Sequence, residues 1–242
     1  MDSEKQYFYP DVFDVITLSL AHSKDPDLTF WKKSEDSILS YAEEMFKRNR
    51  FNKLLDVGCG DGRLTVKFSK YFNRVIALEP DKIRMEFAKY NVHNNNISNV
   101  TFVQSPFLKA GIQDDYFDVV ICNHVIQHIN TDMIEPTIQG IFNVLRKDGI
   151  IVLTTSYSKR KDDYFLKSFL DKEGNVNGTD ISEKSFNNLI INEQRILPIH
   201  FFTVDNLKEY LSKFSLIKLD VFDDIYPHSM LDTVIFIGSK PS

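Results

Sequence analysis

The 242-residue sequence predicts an α/β fold built on a doubly wound parallel sheet. Two observations predict it: short, almost wholly apolar runs rich in β-branched residues, and longer amphipathic stretches between them. Continuous apolar runs are typical of strands buried on both faces, and strands that alternate with helices favour parallel pairing. The predicted strands are KLLDVG (53–58), RVIALE (74–79), VTFVQ (100–104), FDVVICN (117–123) and GIIVLTT (149–155).

Amphipathic helices are predicted between these strands because apolar residues recur there at spacings of three and four. They cover residues 64–71, 82–91 and 132–145. The last is expected to end in RKDG, with basic residues in its final turn and Gly149 just beyond. Nearer the C-terminus, Thr203 is expected to cap a helix over 204–214, followed by strands in SLIKLDVFDD and DTVIFIGSK.

The chain is interpreted as a single domain, 1–242, with two elaborations of a core. Residues 1–50 form a predicted N-terminal helical cap with helices near 12–21 and 34–48, and 51–156 form the core. Residues 157–200 lose the alternation of strand and helix and contain the polar stretches KRKDD and KEGNVNGTD, so they are interpreted as an insertion that closes over a substrate. Residues 201–242 supply the closing helix and hairpin. The cap also carries the aromatic residues Tyr7, Phe8, Tyr9, Phe30 and Trp31.

Charge and cysteine content narrow the classes of function. The 29 basic and 34 acidic residues give a net charge of −5, which offers no global positive field for nucleic acid. Two cysteines, Cys59 and Cys122, are too few for a disulfide framework and lack the spacing of a zinc site, so they are interpreted as packing residues. No secretory signal or membrane-spanning run is recognisable, which predicts a cytoplasmic protein.

The glycine-rich stretch after the first predicted strand is the strongest sign of a ligand site. Three glycines, Gly58, Gly60 and Gly62, fall within five residues of a chain that has only nine. Such a loop between a strand and a helix lets a ligand approach the main chain closely. Glu79 lies at the end of the next strand, where a carboxylate can accept hydrogen bonds from both hydroxyl groups of a ribose.

Two classes of cofactor fit this arrangement, a dinucleotide and a nucleoside sulfonium. A dinucleotide fingerprint reads G-x-G-x-x-G and places its pyrophosphate on the helix N-terminus. Here the spacing is G-x-G-x-G, and Asp56 and Asp61 put carboxylates where they would repel a pyrophosphate. These charges therefore favour S-adenosylmethionine over NAD.

Four motifs, in order over residues 52–156, resemble those of the class I S-adenosylmethionine-dependent methyltransferases. They are LLDVGCGDGRLT, VIALEPD, FDVVICNHVIQHI and NVLRKDGIIVLTT. The C-terminal stretches FFTVDNLKEYLSKFSLIKLDVF and DTVIFIGSK resemble the closing helix and antiparallel hairpin of that fold. The resemblance implies a Rossmann-like, mostly parallel seven-stranded sheet whose last strand is antiparallel, with S-adenosylmethionine as the methyl donor.

The resemblance also implies roles for individual residues. Asp56, Gly58 and Gly60, with Cys59 between the glycines, would line the methionine part of the donor, and Glu79 would hold its ribose.

The adenine is expected beside Pro80 and Asp81. Many relatives bind the adenine amino group through an aspartate after the third strand. This chain has Ser105 and Pro106 there, so adenine recognition is expected to depend on Ser105, a backbone group or stacking.

Asn123, His124 and Val125 would lie near the reactive end of the donor, and His124 is a candidate general base. His124 and His128 are four residues apart, but the acidic residue of an H-E-x-x-H site is missing, and no metal is predicted. His128 is expected to pack or hydrogen-bond at the base of the site. His200 precedes the last helix and could face the substrate, but a surface position is favoured.

The favoured function is methylation of a small molecule or a protein side chain, with the acceptor recognised by the N-terminal segment and residues 157–200. Two alternatives stay open: methylation of tRNA or rRNA through the local basic stretches KRKDD and KRNR, and a non-catalytic binding protein that keeps the fold. Nucleic acid and membrane partners are not favoured, and the oligomeric state is not predicted.

Overall fold

A computed structural model describes residues 35–170, 176–189, 196–223 and 232–242. The helix expected near 12–21 and the aromatic residues of the N-terminal segment lie outside the described residues. Residues 35–38 are helical and lead into the first complete helix of the predicted cap.

The described elements alternate as the apolar pattern predicts. The helices are α1 (Ser40–Arg48), α2 (Arg63–Phe68), α3 (Lys82–Asn94), α4 (Ile134–Val144), α5 (Glu183–Asn187) and α6 (Val204–Tyr210). The strands are β1 (Lys53–Val57), β2 (Arg74–Leu78), β3 (Val100–Val103), β4 (Phe117–Asn123), β5 (Leu145–Ser156), β6 (Tyr164–Leu170), β7 (Val176–Ile181), β8 (Ile196–Phe201), β9 (Ser215–Phe222) and β10 (Thr233–Ser239). Short 3-10 turns at Phe107–Lys109 and Ile126–His128 follow β3 and β4.

Seven strands form one sheet in the order β3-β2-β1-β4-β5-β10-β9. Strands β1 to β5 pair in parallel, whereas β10 runs antiparallel to both β5 and β9. The predicted seven-stranded topology with an antiparallel last strand is therefore confirmed. The strand order reverses between β1 and β4, and ligands of doubly wound sheets bind at the carboxyl ends of strands beside such a point.

Both faces of the sheet are covered, which explains why its central strands read as continuous apolar runs. Leu55 and Val120 pack with the α4 side of the core, where Ile138 is buried. Their neighbours Leu54 and Val119 point to the opposite face and pack in a cluster with residues of α1 and α2. The buried faces fix the register of the strands and so position their carboxyl ends.

The helix predicted over 132–145 ends earlier than expected. Its last residue is Val144, and residues 146–148 belong to β5 rather than to a final helical turn. The side chain of Arg146 reaches Asp118, which also accepts hydrogen bonds from the backbone N–H groups of Asn52 and Lys53. This tertiary contact holds the segment in β5, where Asp148 has a φ angle of +59°, although the local sequence indicates a helix.

The described part of residues 157–200 contains more regular structure than its polar sequence suggests. Three strands form a second, antiparallel sheet in the order β7-β6-β8, and α5 packs on β6. The last strand runs on to Phe201, so the predicted boundary at residue 200 falls inside β8. Next to it, Tyr157 and Phe202 form a parallel bridge that joins the end of β5 to the end of β8.

Asp163 joins this second sheet to α6. Its Oδ1 accepts hydrogen bonds from the backbone N–H and the hydroxyl of Thr203, at 2.7 and 2.9 Å. Its Oδ2 accepts from the amide of Asn206 at 2.6 Å and contacts Nε2 of His200 at 2.8 Å. Although its own burial raises the pKa of Asp163, the hydrogen bonds and the neighbouring imidazole outweigh that effect and lower it.

Replacing Thr203 with alanine is expected to destabilise the protein by about 1 kcal/mol. As predicted, the Thr203 hydroxyl caps α6, accepting a hydrogen bond from the backbone N–H of Asn206. Alanine loses this contact together with the hydrogen bond to Asp163, whereas Thr203→Ser keeps both. Urea denaturation of the three proteins would check this, and an alanine variant as stable as the serine variant would contradict it.

Within the described ranges, every helix is too short or too polar to cross a membrane.

Candidate functional site

The glycine loop connects β1 to α2 at the carboxyl edge of the sheet. Gly58, Gly60 and Gly62 have φ angles of +68°, +56° and +79°, in the left-handed region that disfavours side chains. A Cβ on Gly58 would lie 2.5 Å from Cγ2 of Val125, and one on Gly62 would lie 3.0 Å from Cα of Ala88. The loop thus requires glycine both for its backbone conformation and for its close packing.

Glu79 follows β2 and is anchored by the glycine loop. Its Oε2 accepts a hydrogen bond from the backbone N–H of Gly60 at 2.9 Å, and its Oε1 accepts from the N–H of Asp81 at 3.0 Å. A carboxylate has about four lone-pair positions, so each oxygen can accept one further hydrogen bond. Burial raises the pKa of Glu79 to about 7, against the opposing effects of these hydrogen bonds and the charge of Arg84.

A cavity opens directly beside Glu79. Six of the residues predicted from the sequence line it together: Gly58, Glu79, Pro80, Ser105, Pro106 and Val125. The rest of the wall is mostly apolar and comes from the turn after β3, the segment after β4, and the start of α4. These residues include Phe107, Leu108, His128, Ile129, Met133 and Thr137. The Ser105 hydroxyl donates within its own turn, to the carbonyl of Pro106 at 3.1 Å.

Five predicted residues do not line the cavity: Asp56, Cys59, Gly60, Asn123 and His124. Asp56 is buried at the end of β1, where its Oδ2 accepts a hydrogen bond from the Thr65 hydroxyl at 2.6 Å. Burial raises the pKa of Asp56 to about 6, and the nearby Asp61 carboxylate contributes in the same direction. A buried negative charge at this position suits a cationic ligand.

Replacing Asp56 with asparagine is expected to stabilise the ligand-free protein at high pH. The folded-state pKa of about 6 lies above the ordinary value of 3.8, so the stability that protonated Asp56 contributes is lost as the pH rises through 6. We expect Asp56→Asn to gain roughly 1–3 kcal/mol over the wild type above pH 7, and the gain to vanish near pH 4. Urea titrations between pH 4 and 8 test this; a difference independent of pH would contradict it.

Hydrogen bonds of Gln127 determine the tautomers of His124 and His128. Gln127 is buried after β4, and its Oε1 accepts from the backbone N–H of Ser156 at 2.8 Å, which fixes the orientation of the amide. Nδ1 of His124 lies 3.0 Å from this Oε1 and so carries the proton, which leaves Nε2 as the basic nitrogen of the neutral ring. Mainly through burial, the pKa of His124 is lowered to about 4.

His128 is held by the same amide, at the cavity wall. Its Nε2 lies 3.2 Å from Nε2 of Gln127, which must donate, so the proton of His128 is on Nδ1. Nδ1 then donates to the carbonyl of Pro198 in β8, at 2.9 Å. Burial lowers the pKa of His128 to about 4 as well, so the ring is neutral at pH 7. The expectation that His128 packs and hydrogen-bonds at the base of the site agrees with these contacts.

The two cysteines and His200 are packed in the interior. Burial raises the pKa of the Cys122 thiol to about 12 and that of Cys59 well above its ordinary value, as suits packing residues. The surface interpretation of His200 is wrong, because its ring is buried and stacks on Phe202 with centroids 3.8 Å apart. The β-strand alternation of β8 turns this side chain inward, towards Phe165 and Asp163.

Sequence reasoning missed three residues at this edge of the sheet. Glu35, Arg63 and Gln127 each make polar contacts with a predicted site residue or its neighbour. The motif LLDVGCGDGRLT includes Arg63, but nothing in the sequence pairs it with an acidic residue 28 positions earlier. A glutamine beside two histidines was the one local signal for Gln127.

Comparison with known proteins finds a family model that matches the part of the chain that carries this site. Residues 55–153 match the family model described as a methyltransferase domain. The chain is 26% identical over 120 residues to an uncharacterized methyltransferase, YcgJ, of Bacillus subtilis (strain 168), a match that covers 50% of this chain and 46% of that protein. It spans less than half the length of each of the three curated relatives compared.

Solved structures share the fold at low sequence identity. The [4+2]-cyclase SpnF superposes with a TM-score of 0.69 at 13% identity, covering 95% of this chain and 93% of that one. The 1,6-didemethyltoxoflavin-N1-methyltransferase of Burkholderia thailandensis, bound to 1,6-didemethyltoxoflavin and S-adenosylhomocysteine, gives a TM-score of 0.60 at 18% identity and covers 100% and 98% of the two chains. Residues 55–153 are thus similar to a methyltransferase domain, and the seven-stranded fold is that of the solved structures compared.

Proposed function

We propose that the protein binds S-adenosylmethionine beside Glu79 and transfers its methyl group to a small-molecule acceptor. The observation that carries this proposal is the Glu79 carboxylate itself. It is buried next to a cavity, is oriented by two backbone N–H groups, and keeps one acceptor position on each oxygen. A ribose, with two adjacent hydroxyl groups, matches these two positions.

The other residues of the site fit the remaining parts of the donor. Pro80 and Pro106 line the cavity beside Glu79 and offer flat apolar surfaces to an adenine ring. Because Gly58 has no side chain, the space beside its backbone stays open and lets the methionine part approach the main chain closely. The buried Asp56 carboxylate favours the cationic end of the donor over a phosphate.

The donor supplies an activated methyl group on its sulfonium, and the protein supplies alignment, exclusion of water and, where needed, a proton acceptor. Gln127 holds the proton of neutral His124 on Nδ1, so the buried Nε2, next in sequence to the cavity-lining Val125, is the basic nitrogen. We propose that His124 accepts the proton that an acceptor hydroxyl or ammonium group loses. Its pKa of about 4 keeps the ring unprotonated at neutral pH but makes it a weak base, so the role requires that bound ligands raise this pKa towards neutrality.

The mostly apolar wall formed by Phe107, Leu108, Ile129 and Met133 supports a small-molecule acceptor. The Burkholderia protein of the same fold, whose name gives 1,6-didemethyltoxoflavin as its acceptor, is consistent with this choice. An extended nucleic acid would instead require a basic surface, and the net charge of −5 does not favour one.

Titration calorimetry with S-adenosylmethionine tests the first part of the proposal. We expect saturable binding with one site per chain, and no binding of NAD. Methyl transfer is tested by S-adenosylhomocysteine formation when purified protein and donor are added to a fraction of small metabolites, with a protein fraction and bulk tRNA in parallel. Binding without product in any fraction would favour the non-catalytic alternative, and absence of binding would refute the proposal.

A further inference from the structure

One wall of the cavity is attached to the second sheet through His128. The ring of His128 lines the cavity together with Val125 and Ile129. Its Nδ1 donates a hydrogen bond to the main-chain carbonyl of Pro198 in β8, at 2.9 Å. In the part of the chain that the structure describes, no residue of β8 lines this cavity. His128 therefore contacts both the cavity and a strand that lies outside it.

The attachment follows the outer edge of β8. Among the described strands, β8 pairs with β6 alone, in a sheet of the order β7-β6-β8. Proline has no N–H group to donate, so Pro198 suits a position whose polar main-chain groups point away from β6. Such positions alternate along a strand, and the next one is His200, whose carbonyl accepts from the Ser156 hydroxyl. Two side chains of the core, those of His128 and Ser156, thus hold the outer carbonyls of β8.

The second nitrogen of the His128 ring is bonded to the core. Its Nε2 accepts a hydrogen bond from the buried amide of Gln127 at 3.2 Å, and Oε1 of Gln127 accepts from the main-chain N–H of Ser156 at 2.8 Å. The turn that carries both residues, Ile126–His128, packs against β8. Because both ring nitrogens are bonded to buried groups, the imidazole cannot shift without altering its hydrogen bond to Pro198.

We propose that His128 couples occupancy of the cavity to the attachment of the second sheet. A donor that fills the cavity packs against the imidazole, limits its motion and makes the hydrogen bond to Pro198 more persistent. This inference depends on the proposed function, because it assumes that S-adenosylmethionine occupies the cavity. His128 is thereby a positioning residue that acts through β8. Since residues 157–200 are predicted to recognise the acceptor, the coupling favours binding of the donor before the acceptor.

Amide hydrogen exchange with and without saturating S-adenosylmethionine tests the coupling. Binding of any ligand to the folded state also slows exchange that requires global unfolding, so an internal reference is needed. Strand β9, at the edge of the large sheet opposite β3, provides it. In the wild type, exchange in β8 is expected to slow about fivefold more than exchange in β9, a factor at the lower end of coupling between linked sites.

Three variants assign the coupling to His128. His128→Leu loses both hydrogen bonds, so β8 is expected to exchange faster without donor and to slow no more than β9 when donor is added. His128→Asn keeps a donor nitrogen near the position of Nδ1 and is expected to recover part of the excess slowing. Ser156→Ala is the matched control, because it removes the other side-chain bond to β8 from a residue that is not part of the cavity wall. Its β8 is expected to exchange faster, while the excess slowing by the donor persists.

Equal slowing of β8 and β9 in the wild type, at a concentration that calorimetry shows to be saturating, would overturn the inference even if no variant folds. Excess slowing that persists in His128→Leu would also contradict it, since the effect would then reach β8 through another contact. A wild type that binds no S-adenosylmethionine would instead refute the proposed function, on which this inference depends.

Discussion

Replacing Gly58 with alanine is expected to weaken binding of S-adenosylmethionine roughly a hundredfold, the equivalent of about 3 kcal/mol. The new Cβ would lie 2.5 Å from Cγ2 of Val125, a stiff β-branched side chain that lines the cavity. Relief of this overlap must move Val125 or the loop into the space beside Glu79. Titration calorimetry measures the loss.

Two further variants separate this steric effect from backbone strain. Gly111 has a φ angle of +62°, close to that of Gly58, but a Cβ there meets nothing within 4 Å. Gly111→Ala is therefore expected to destabilise the fold by about 1 kcal/mol and to leave binding unchanged. The second variant, Val125→Ala in the Gly58→Ala background, removes the overlapping methyl groups and is expected to restore part of the affinity. Unchanged binding in Gly58→Ala would contradict close approach at this loop.

Glu79→Gln is expected to lower the affinity for the donor by at least about a hundredfold, because each hydrogen bond to a charged group contributes on the order of 1.5–3 kcal/mol. Glutamine has a single acceptor oxygen, and its amide nitrogen would face the backbone N–H of Gly60 or Asp81, both of which donate to the wild-type carboxylate. Equilibrium dialysis with labelled donor would measure the change. Glu86→Gln, which alters an exposed glutamate paired with Lys89, should bind as the wild type does.

The affinity for the donor is also expected to depend on pH through Glu79. Since burial raises the pKa of this carboxyl to about 7, the site contains a mixture of protonated and ionised forms at neutral pH. Ribose hydroxyls donate best to the ionised form, so binding is expected to strengthen between pH 6 and 8. The Glu79→Gln variant should lack this dependence, and an equal dependence in both proteins would assign it to another group.

The sheet could be predicted from the sequence because burial on both faces leaves a strong signal. The runs around Leu54, Val75 and Val119 are apolar at nearly every position, and the parallel order follows from the helices between them. The glycine loop could also be predicted, because the positive φ angles at Gly58, Gly60 and Gly62 admit few other residues. The close association of Gly58, Glu79 and Val125 follows from this topology.

What the sequence did not reveal depends on tertiary contacts. Glu35 lies in the polar stretch SEDS, and its burial is made favourable by contacts with Arg63 and Asn123, which are distant in the sequence. Similarly, residues 146–148 follow a helical pattern but are drawn into β5 by Asp118. Histidine is a polar residue that the sequence favours at the surface, but Asp163 and the ring of Phe202 stabilise His200 in the interior.

The contacts of Asp163 bear on how new acceptor specificities arise or can be engineered. One carboxylate holds the start of α6 and the end of β8 together, and these contacts lie away from the connections that follow β6 and precede β8. Those connections can be exchanged between homologues while Asp163, His200 and Thr203 are kept as the graft junction. A transplanted loop would then inherit a working donor site, and selection would act on the recognition of its new substrate alone.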